Sequence, residues 1–219
     1  FASWQTNLGQ LHYIDQERAE DRDFFVPRVI EQINLGRRGR EQNDRLFPSR
    51  NDNPSLAAYF GVRLCHQGPV AIFCGVKSTI TTICELLVDY YNRGLPLPEP
   101  LDSSDQNELK KISYLSSLHF GIDYIFTRAI NLGILPHSSN IPNGIRVSVE
   151  WAMESNKAAL VVCTSTLAQG VNLPIKYLVV SSTFQAGKEI STRDFHNLIG
   201  RAGRSGYHTE GSIIFADTD

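Results

Sequence analysis

The sequence has no CxxC pair, no long apolar run and almost no net charge. Four cysteines stand singly in apolar runs, which predicts buried free thiols in a reducing compartment and argues against a zinc site or a disulfide framework; they are Cys65, Cys74, Cys84 and Cys163. No run approaches the ~18–20 apolar residues of a membrane span, and the first ten residues show no signal-peptide pattern. We therefore expect a cytoplasmic protein without a membrane partner.

The net charge excludes few classes of function, because 21 Lys and Arg residues nearly balance 23 Asp and Glu residues and leave a net charge of -2. Composition alone gives no argument for a polyanionic partner, so any such site must be local. The 219 residues, 42% of them hydrophobic, exclude a disordered chain and predict one large domain or one domain with an appendage. Because the chain begins at Phe1, we expect it to be a piece of a longer protein.

Short apolar, β-branched runs alternate with longer amphipathic ones, which predicts an α/β fold with a mostly parallel sheet covered by helices on both faces. The predicted strands are residues 70–74, 159–163, 177–181 and 212–215, with a weaker edge strand at 10–14. The predicted helices are residues 78–92, 105–131, 142–155 and 193–202. Ser78 and Asp105 are predicted caps, and Pro142 suits a first helical turn. The three-proline run at 94–104 predicts a solvent-facing loop.

The first 53 residues lack the alternating apolar and amphipathic runs of the remaining chain. They predict a helix at 24–35, followed by an irregular basic segment. This segment contains Arg37, Arg38, Arg40, Arg45 and Arg50. Two interpretations stay open, a solvated loop and a phosphate-binding patch, and the first is favoured because short basic runs are weak motifs. We place a domain boundary near Asn53.

Two segments near the C-terminus have the composition of a phosphate-handling site. TSTLAQGVNLP, residues 164–174, directly follows a predicted strand, and open α/β sheets bind their ligands at the carboxyl ends of strands. NLIGRAGRSG, residues 197–206, places Arg201 and Arg204 three residues apart on one face of a predicted helix. Two guanidinium groups with planar donors and permanent charge suit the oxygens of a polyphosphate.

These two segments resemble motifs V and VI of the superfamily-two helicases, and their sequences are most similar to those of the Ski-like and Hel-type DExH branch. VAIFCGVKST, residues 70–79, resembles motif IV. LGILPHSSNIPNGIRVSVEWAM, residues 132–153, resembles the segment before motif V and keeps Arg146, Val149 and Glu150. The resemblance covers residues 69–219 and implies a C-terminal RecA-like lobe at 54–219, with 1–53 as an approach segment, linker or tail of the preceding lobe.

The resemblance also implies roles for individual residues. It places Thr164 at a nucleic-acid phosphate, with Lys77 and Ser78 as weaker candidates for contact with a strand. It assigns the nucleotide to Gly170, Asn172, Asn197, Gly200, Arg201 and Arg204, with Arg201 and Arg204 facing the γ-phosphate and Arg204 as the arginine finger. Asn197 stands where the family usually has Gln, and His137 alone could stand in for the family's paired histidines. No residue is assigned to a metal.

The resemblance implies only half of an ATPase site, a P-loop NTPase-type fold without its own P-loop. GVKST at residues 75–79 lacks the glycine directly before Lys77 that a phosphate-binding loop requires, because Val76 intervenes. ATP and Mg²⁺ would be bound mainly by an N-terminal RecA-like lobe of the same chain, and this fragment alone would be inactive. We expect a helicase or translocase lobe acting on single-stranded DNA or RNA. The alternative is a non-hydrolysing binding or scaffold module in a nucleic-acid processing or defence assembly.

Overall fold

A computed structural model describes residues 11–13, 24–26, 30–165, 174–185, 188–191, 196 and 211–216. Its central feature is a five-stranded parallel sheet in the order β11-β8-β5-β7-β6. The strands are β5 (Val70–Phe73), β6 (Ile134–His137), β7 (Leu160–Cys163), β8 (Tyr177–Val180) and β11 (Ser212–Phe215). Near-continuous apolar runs form these strands, and every residue of β5, β6 and β7 is buried. The structure confirms the predicted α/β, RecA-like architecture.

Five helices in the described part of the chain surround this sheet: α1 (Asn53–Leu64), α2 (Lys77–Asn92), α3 (Gln106–Phe120), α4 (Ile125–Asn131) and α5 (Asn143–Glu154). The connection from β5 to β6 crosses the sheet in one direction, and the connection from β6 back to β7 crosses in the other. Because such crossovers are right-handed, α2 and α5 cover opposite faces.

Three short antiparallel pairs accompany the main sheet. They join β1 (Leu11–Tyr13) to β2 (Phe24–Val26), β3 (Ile33–Asn34) to β4 (Leu46–Phe47), and β9 (Phe184–Gln185) to β10 (Lys188–Glu189). The predicted helix at 24–35 is therefore wrong, since strands lie at both of its ends. The weaker predicted strand at 10–14 does exist, although it pairs with β2 rather than with the main sheet.

The helices depart from the sequence expectations in three places. The predicted helix 105–131 is two helices, because Gly121 adopts a φ of 95° and ends α3. Asp105 caps α3 as predicted, its carboxylate accepting from the backbone of Asn107 and Glu108. Ser78 does not cap α2, which begins at Lys77 without a side-chain cap. Pro142 precedes α5 as its N-terminal cap residue instead of lying in the first turn.

The proline-rich run at 94–104 is not simply a solvent-facing loop. It contains a 3₁₀ helix, Pro100–Ser103, and buries Leu95 and Pro100. The backbone N–H of Leu101 donates to Leu132 O at 3.0 Å, which holds the run against the turn that enters β6. Prolines here stiffen a packed connection.

The segment before α1 contributes to the same hydrophobic core as the sheet. The Phe47 ring is fully buried, with its centroid 5.6 Å from that of Tyr59 and 4.7 Å from that of Tyr90. Residues 30–52 thus pack onto the lobe, and the boundary near Asn53 stays a prediction.

Candidate nucleic-acid interface

Three neighbouring strands end in register at one edge of the sheet. Phe73 and His137 both pair with Cys163, so the residues that follow β5, β6 and β7 emerge side by side. Backbone hydrogen bonds extend this alignment past the strands, because Cys74 N donates to Cys163 O at 2.7 Å and Thr164 N donates to His137 O at 3.2 Å. This carboxyl edge is where parallel α/β sheets place their ligands.

Lys77 and Asn140 meet at this edge. Lys77 is the first residue of α2, directly after the β5 loop, and Asn140 ends the polar string that follows β6. The Lys77 ammonium donates to Asn140 Oδ1 at 2.6 Å, and both side chains are exposed. The neighbouring Ser78 is exposed too, and the N-terminus of α2 has no side-chain cap. An ammonium, an amide and the positive end of a 16-residue helix together favour an anion.

Thr164, the third predicted strand contact, also lies at this edge but is only 6% exposed. The structure therefore brings Thr164, Lys77 and Ser78 to one edge of the sheet, as their positions after β7 and β5 predicted. Any contact that Thr164 makes with a strand uses a small accessible part of the residue.

A buried imidazole lies beneath the loop at 138–140. The His137 side chain is 1% exposed, and its Nε2 is 2.7 Å from Glu150 Oε1 on α5. Burial lowers the pKa of His137, although the Glu150 carboxylate acts in the opposite direction. Its Nδ1 is buried and has no hydrogen-bond partner among the residues that the structure describes.

The four cysteines are free and buried, as predicted, and show no sign of reactivity. Desolvation raises the pKa of Cys65 and of Cys74 to about 12, and it also raises the pKa values of Cys84 and Cys163. Thiols held protonated in this way are poor nucleophiles and poor metal ligands. Within the described ranges, no three His, Cys, Asp or Glu side chains converge as a metal site, and no helix is long and apolar enough to cross a membrane.

The predicted nucleotide-contacting residues all lie outside the described residues. They are Gly170, Asn172, Asn197, Gly200, Arg201 and Arg204. Of the predicted helix at 193–202, only His196 is described, and it is helical. These assignments stay predictions.

Known proteins match the chain over the regions that carry these features. Residues 103–206 match the helicase conserved C-terminal domain. The "Helicase POLQ-like" protein of Homo sapiens is 28% identical over 144 residues, 65% of this chain and 13% of that protein. The "ATP-dependent DNA helicase Hel308" of Thermoplasma volcanium is 32% identical over 115 residues, 50% of this chain and 17% of that protein. These matches support a superfamily-two helicase C-terminal lobe.

One further relative aligns with nearly the whole helicase lobe, including the segment before α1. The "Hachiman protein HamB" of Bacillus cereus is 24% identical over 212 residues, which are 96% of this chain and 18% of that protein. The chain thus spans less than a fifth of the length of each of these three relatives.

Most of the arginine-rich segment forms the loop between β3 and β4, and Arg50 follows β4. Much of the charge of the loop is engaged within the chain. Arg38 donates to Asn92 O at 2.7 Å, Arg37 lies 3.1 Å from Asp44, and Arg45 lies 3.9 Å from Asp89. These partners lie within the loop or near the C-terminal end of α2, which is the end opposite Lys77. They favour a docked loop over a phosphate-binding patch.

Sequence reasoning missed Asn140 and the pairing of His137 with Glu150. Asn140 lies 63 residues from Lys77 in the chain, and only the fold shows that they meet. A usable signal was the polar string SSN directly after the strand residues ILPH, which is the pattern of a strand end. Pro136 obscured this strand, yet β6 lies at the edge of the sheet, where a proline is tolerated.

Proposed function

We propose that this lobe belongs to an ATP-dependent DNA or RNA helicase or translocase, in which it supplies an arginine finger and part of the track for a single strand. The convergence of Lys77, Asn140 and the uncapped start of α2 on the carboxyl edge carries this proposal. The rest of the site would come from an N-terminal RecA-like lobe of the same protein.

The carboxyl edge suits a phosphate backbone rather than a base. Lys77 supplies a point charge, Asn140 an amide that can donate or accept, and α2 an N-terminus without a side-chain cap. None of these groups distinguishes one base from another, because phosphate contacts position a strand without reading its sequence. The edge therefore fits a motor that moves along strands of any sequence.

The nucleotide side of the proposal rests on Arg201 and Arg204, by their resemblance to motif VI. ATP supplies the energy of phosphoryl transfer, and a fixed arginine beside the γ-phosphate stabilises the charge of the transition state by about 10³–10⁵ in rate. By the same resemblance, Mg²⁺ would be held mainly by the N-terminal lobe, and no three His, Cys, Asp or Glu side chains converge as a metal site in the described part of this lobe.

Closure between two lobes would couple these functions. Arg201 and Arg204 would hold the closed state through the γ-phosphate and release it after hydrolysis, so that the two lobes alternate between two arrangements. A strand held at Lys77 and Asn140 would then shift relative to the other lobe.

The experiment is ATP hydrolysis by the full-length protein, with and without single-stranded DNA or RNA, in wild type and Arg204→Ala. We expect the variant to lose at least about a thousandfold in turnover with its fold intact, because the arginine acts only on transition-state charge.

Arg40→Ala is the matched control, since Arg40 is exposed in the loop between β3 and β4, away from the carboxyl edge. Unchanged turnover in Arg204→Ala would contradict the arginine-finger assignment. Absence of any hydrolysis by the wild-type protein, with strand binding preserved, would instead favour a non-hydrolysing scaffold.

A further inference from the structure

Apart from a hydrogen bond from Ile141 N to Ser138 O at 3.1 Å, the loop at 138–140 has few backbone restraints of its own. It follows β6, an edge strand that pairs with β7 alone among the described strands, and Pro136 in that strand has no N–H to donate. The residue that joins strand to loop is His137, whose carbonyl accepts from Thr164 N at 3.2 Å. The orientation of the loop therefore depends strongly on how the His137 residue is held.

The His137 side chain is held by α5. Its Nε2 lies 2.7 Å from Glu150 Oε1, and the Glu150 side chain is 23% exposed. Since burial favours the neutral imidazole and a carboxylate only accepts hydrogen bonds, the proton lies on Nε2. The second ring nitrogen, Nδ1, then stays buried without a partner in the described part of the chain. An apolar side chain would fill this position without leaving a polar atom unpaired, so stability alone does not explain the pair.

We propose that His137 and Glu150 form a positioning pair that fixes the loop at 138–140, and with it Asn140 and Lys77, for contact with the phosphate backbone of a single strand. This rests on the proposed function of the carboxyl edge. Neither residue touches the strand; the pair acts through Asn140, whose Oδ1 in turn holds the Lys77 ammonium at 2.6 Å.

The test uses the full-length protein and labelled oligo-dT and oligo-U strands as probes, with dissociation constants measured by fluorescence anisotropy. Glu150→Ala removes the acceptor, and we expect binding about 3- to 10-fold weaker, the loss of one well-placed polar contact. Glu150→Gln keeps an oxygen that can accept from His137 Nε2, so it should stay within about twofold of wild type.

A double-mutant cycle separates positioning from general destabilisation. If Glu150 acts through the loop, Glu150→Ala should weaken strand binding little further once Asn140→Ala is present, because coupled residues are not additive. Met153→Ala on the same helix is the control: Met153 is fully buried in the last turn of α5, at the end of the helix away from the loop at 138–140. It should lower the melting temperature and leave strand affinity unchanged.

Each outcome decides between the two claims. If Asn140→Ala and Lys77→Ala bind strands like wild type, both the interface and the positioning pair are overturned. If those variants bind weakly while Glu150→Ala binds normally, or if the effects of Glu150→Ala and Asn140→Ala add in full, the positioning pair alone is overturned.

Discussion

At the scale of single residues, the charge state of His137 links the stability of the lobe to pH. Burial lowers the pKa of this imidazole below its usual value of 6.5, and the hydrogen bond to Glu150 only partly opposes that effect. The folded lobe thus favours the neutral ring more than water does. The neighbouring Glu150 carboxylate is not enough to reverse this, because desolvation is the larger cause.

We expect the free energy of unfolding of the 219-residue chain to fall as pH drops below about 6.5, and to fall less steeply in His137→Gln. Between the lowered pKa of the folded state and the ordinary pKa of the unfolded state, the unfolded chain binds more protons, so acid favours unfolding. Urea unfolding of both proteins from about pH 8 to about pH 5 measures this difference. Parallel pH profiles for the two proteins would show that His137 contributes nothing to the slope.

At the scale of elements, continuous apolar runs in the sequence predicted the buried strands. Sequence patterns did not predict features that depend on local backbone conformation or on contacts between distant residues. The predicted strands at 70–74, 159–163 and 177–181 each lie within one residue of the observed bounds, because a strand covered on both faces must be an unbroken apolar run. Gly121, with a φ of 95°, ends α3, and residues 121–124 separate it from α4. At the site, Lys77 was predicted from its place after a strand, whereas Asn140 was missed because Pro136 obscured the strand that it follows.

The turn that enters β6 allows a test of the contact between this turn and the 3₁₀ helix at Pro100–Ser103. Gly133 has a φ of 82°, and a Cβ at this position would overlap the backbone of Pro100 and Leu101. Gly121 has a similar φ of 95° but open space around it, which makes it the matched control. We expect Gly121→Ala to cost about 1–2 kcal/mol for the left-handed backbone alone. Gly133→Ala should cost roughly 3 kcal/mol or more, since the 3₁₀ helix must also move.

Urea unfolding of the two variants checks this, with the loss for each taken relative to wild type. Equal losses would mean that the proline-rich run yields easily and does not hold the turn.

At the scale of the whole molecule, a net charge of -2 leaves no long-range attraction for a polyanion. The arginines of the loop between β3 and β4 do not change this at the carboxyl edge. Glu41 in that loop binds Arg93 at the C-terminal end of α2, away from the carboxyl edge, and the hydrogen bond from Arg93 lowers the pKa of Glu41 to about 2. Strand binding by this lobe must then depend on a few short-range contacts, and a contact that neutralises a phosphate should be visible in the salt dependence of the affinity.

Lys77→Gln should make the affinity of the full-length protein for a single strand less sensitive to salt. Each phosphate neutralised on a single strand adds about 0.7 to the slope of log Kobs against log salt, so the slope should fall by about 0.7. Arg40→Gln removes the same charge near the other end of α2, about 24 Å away along a 16-residue helix, and should leave the slope unchanged. Fluorescence anisotropy titrations at several salt concentrations give both slopes. If Lys77→Gln weakens binding at every salt concentration equally, Lys77 contributes through its hydrogen bond to Asn140 and does not pair with a phosphate.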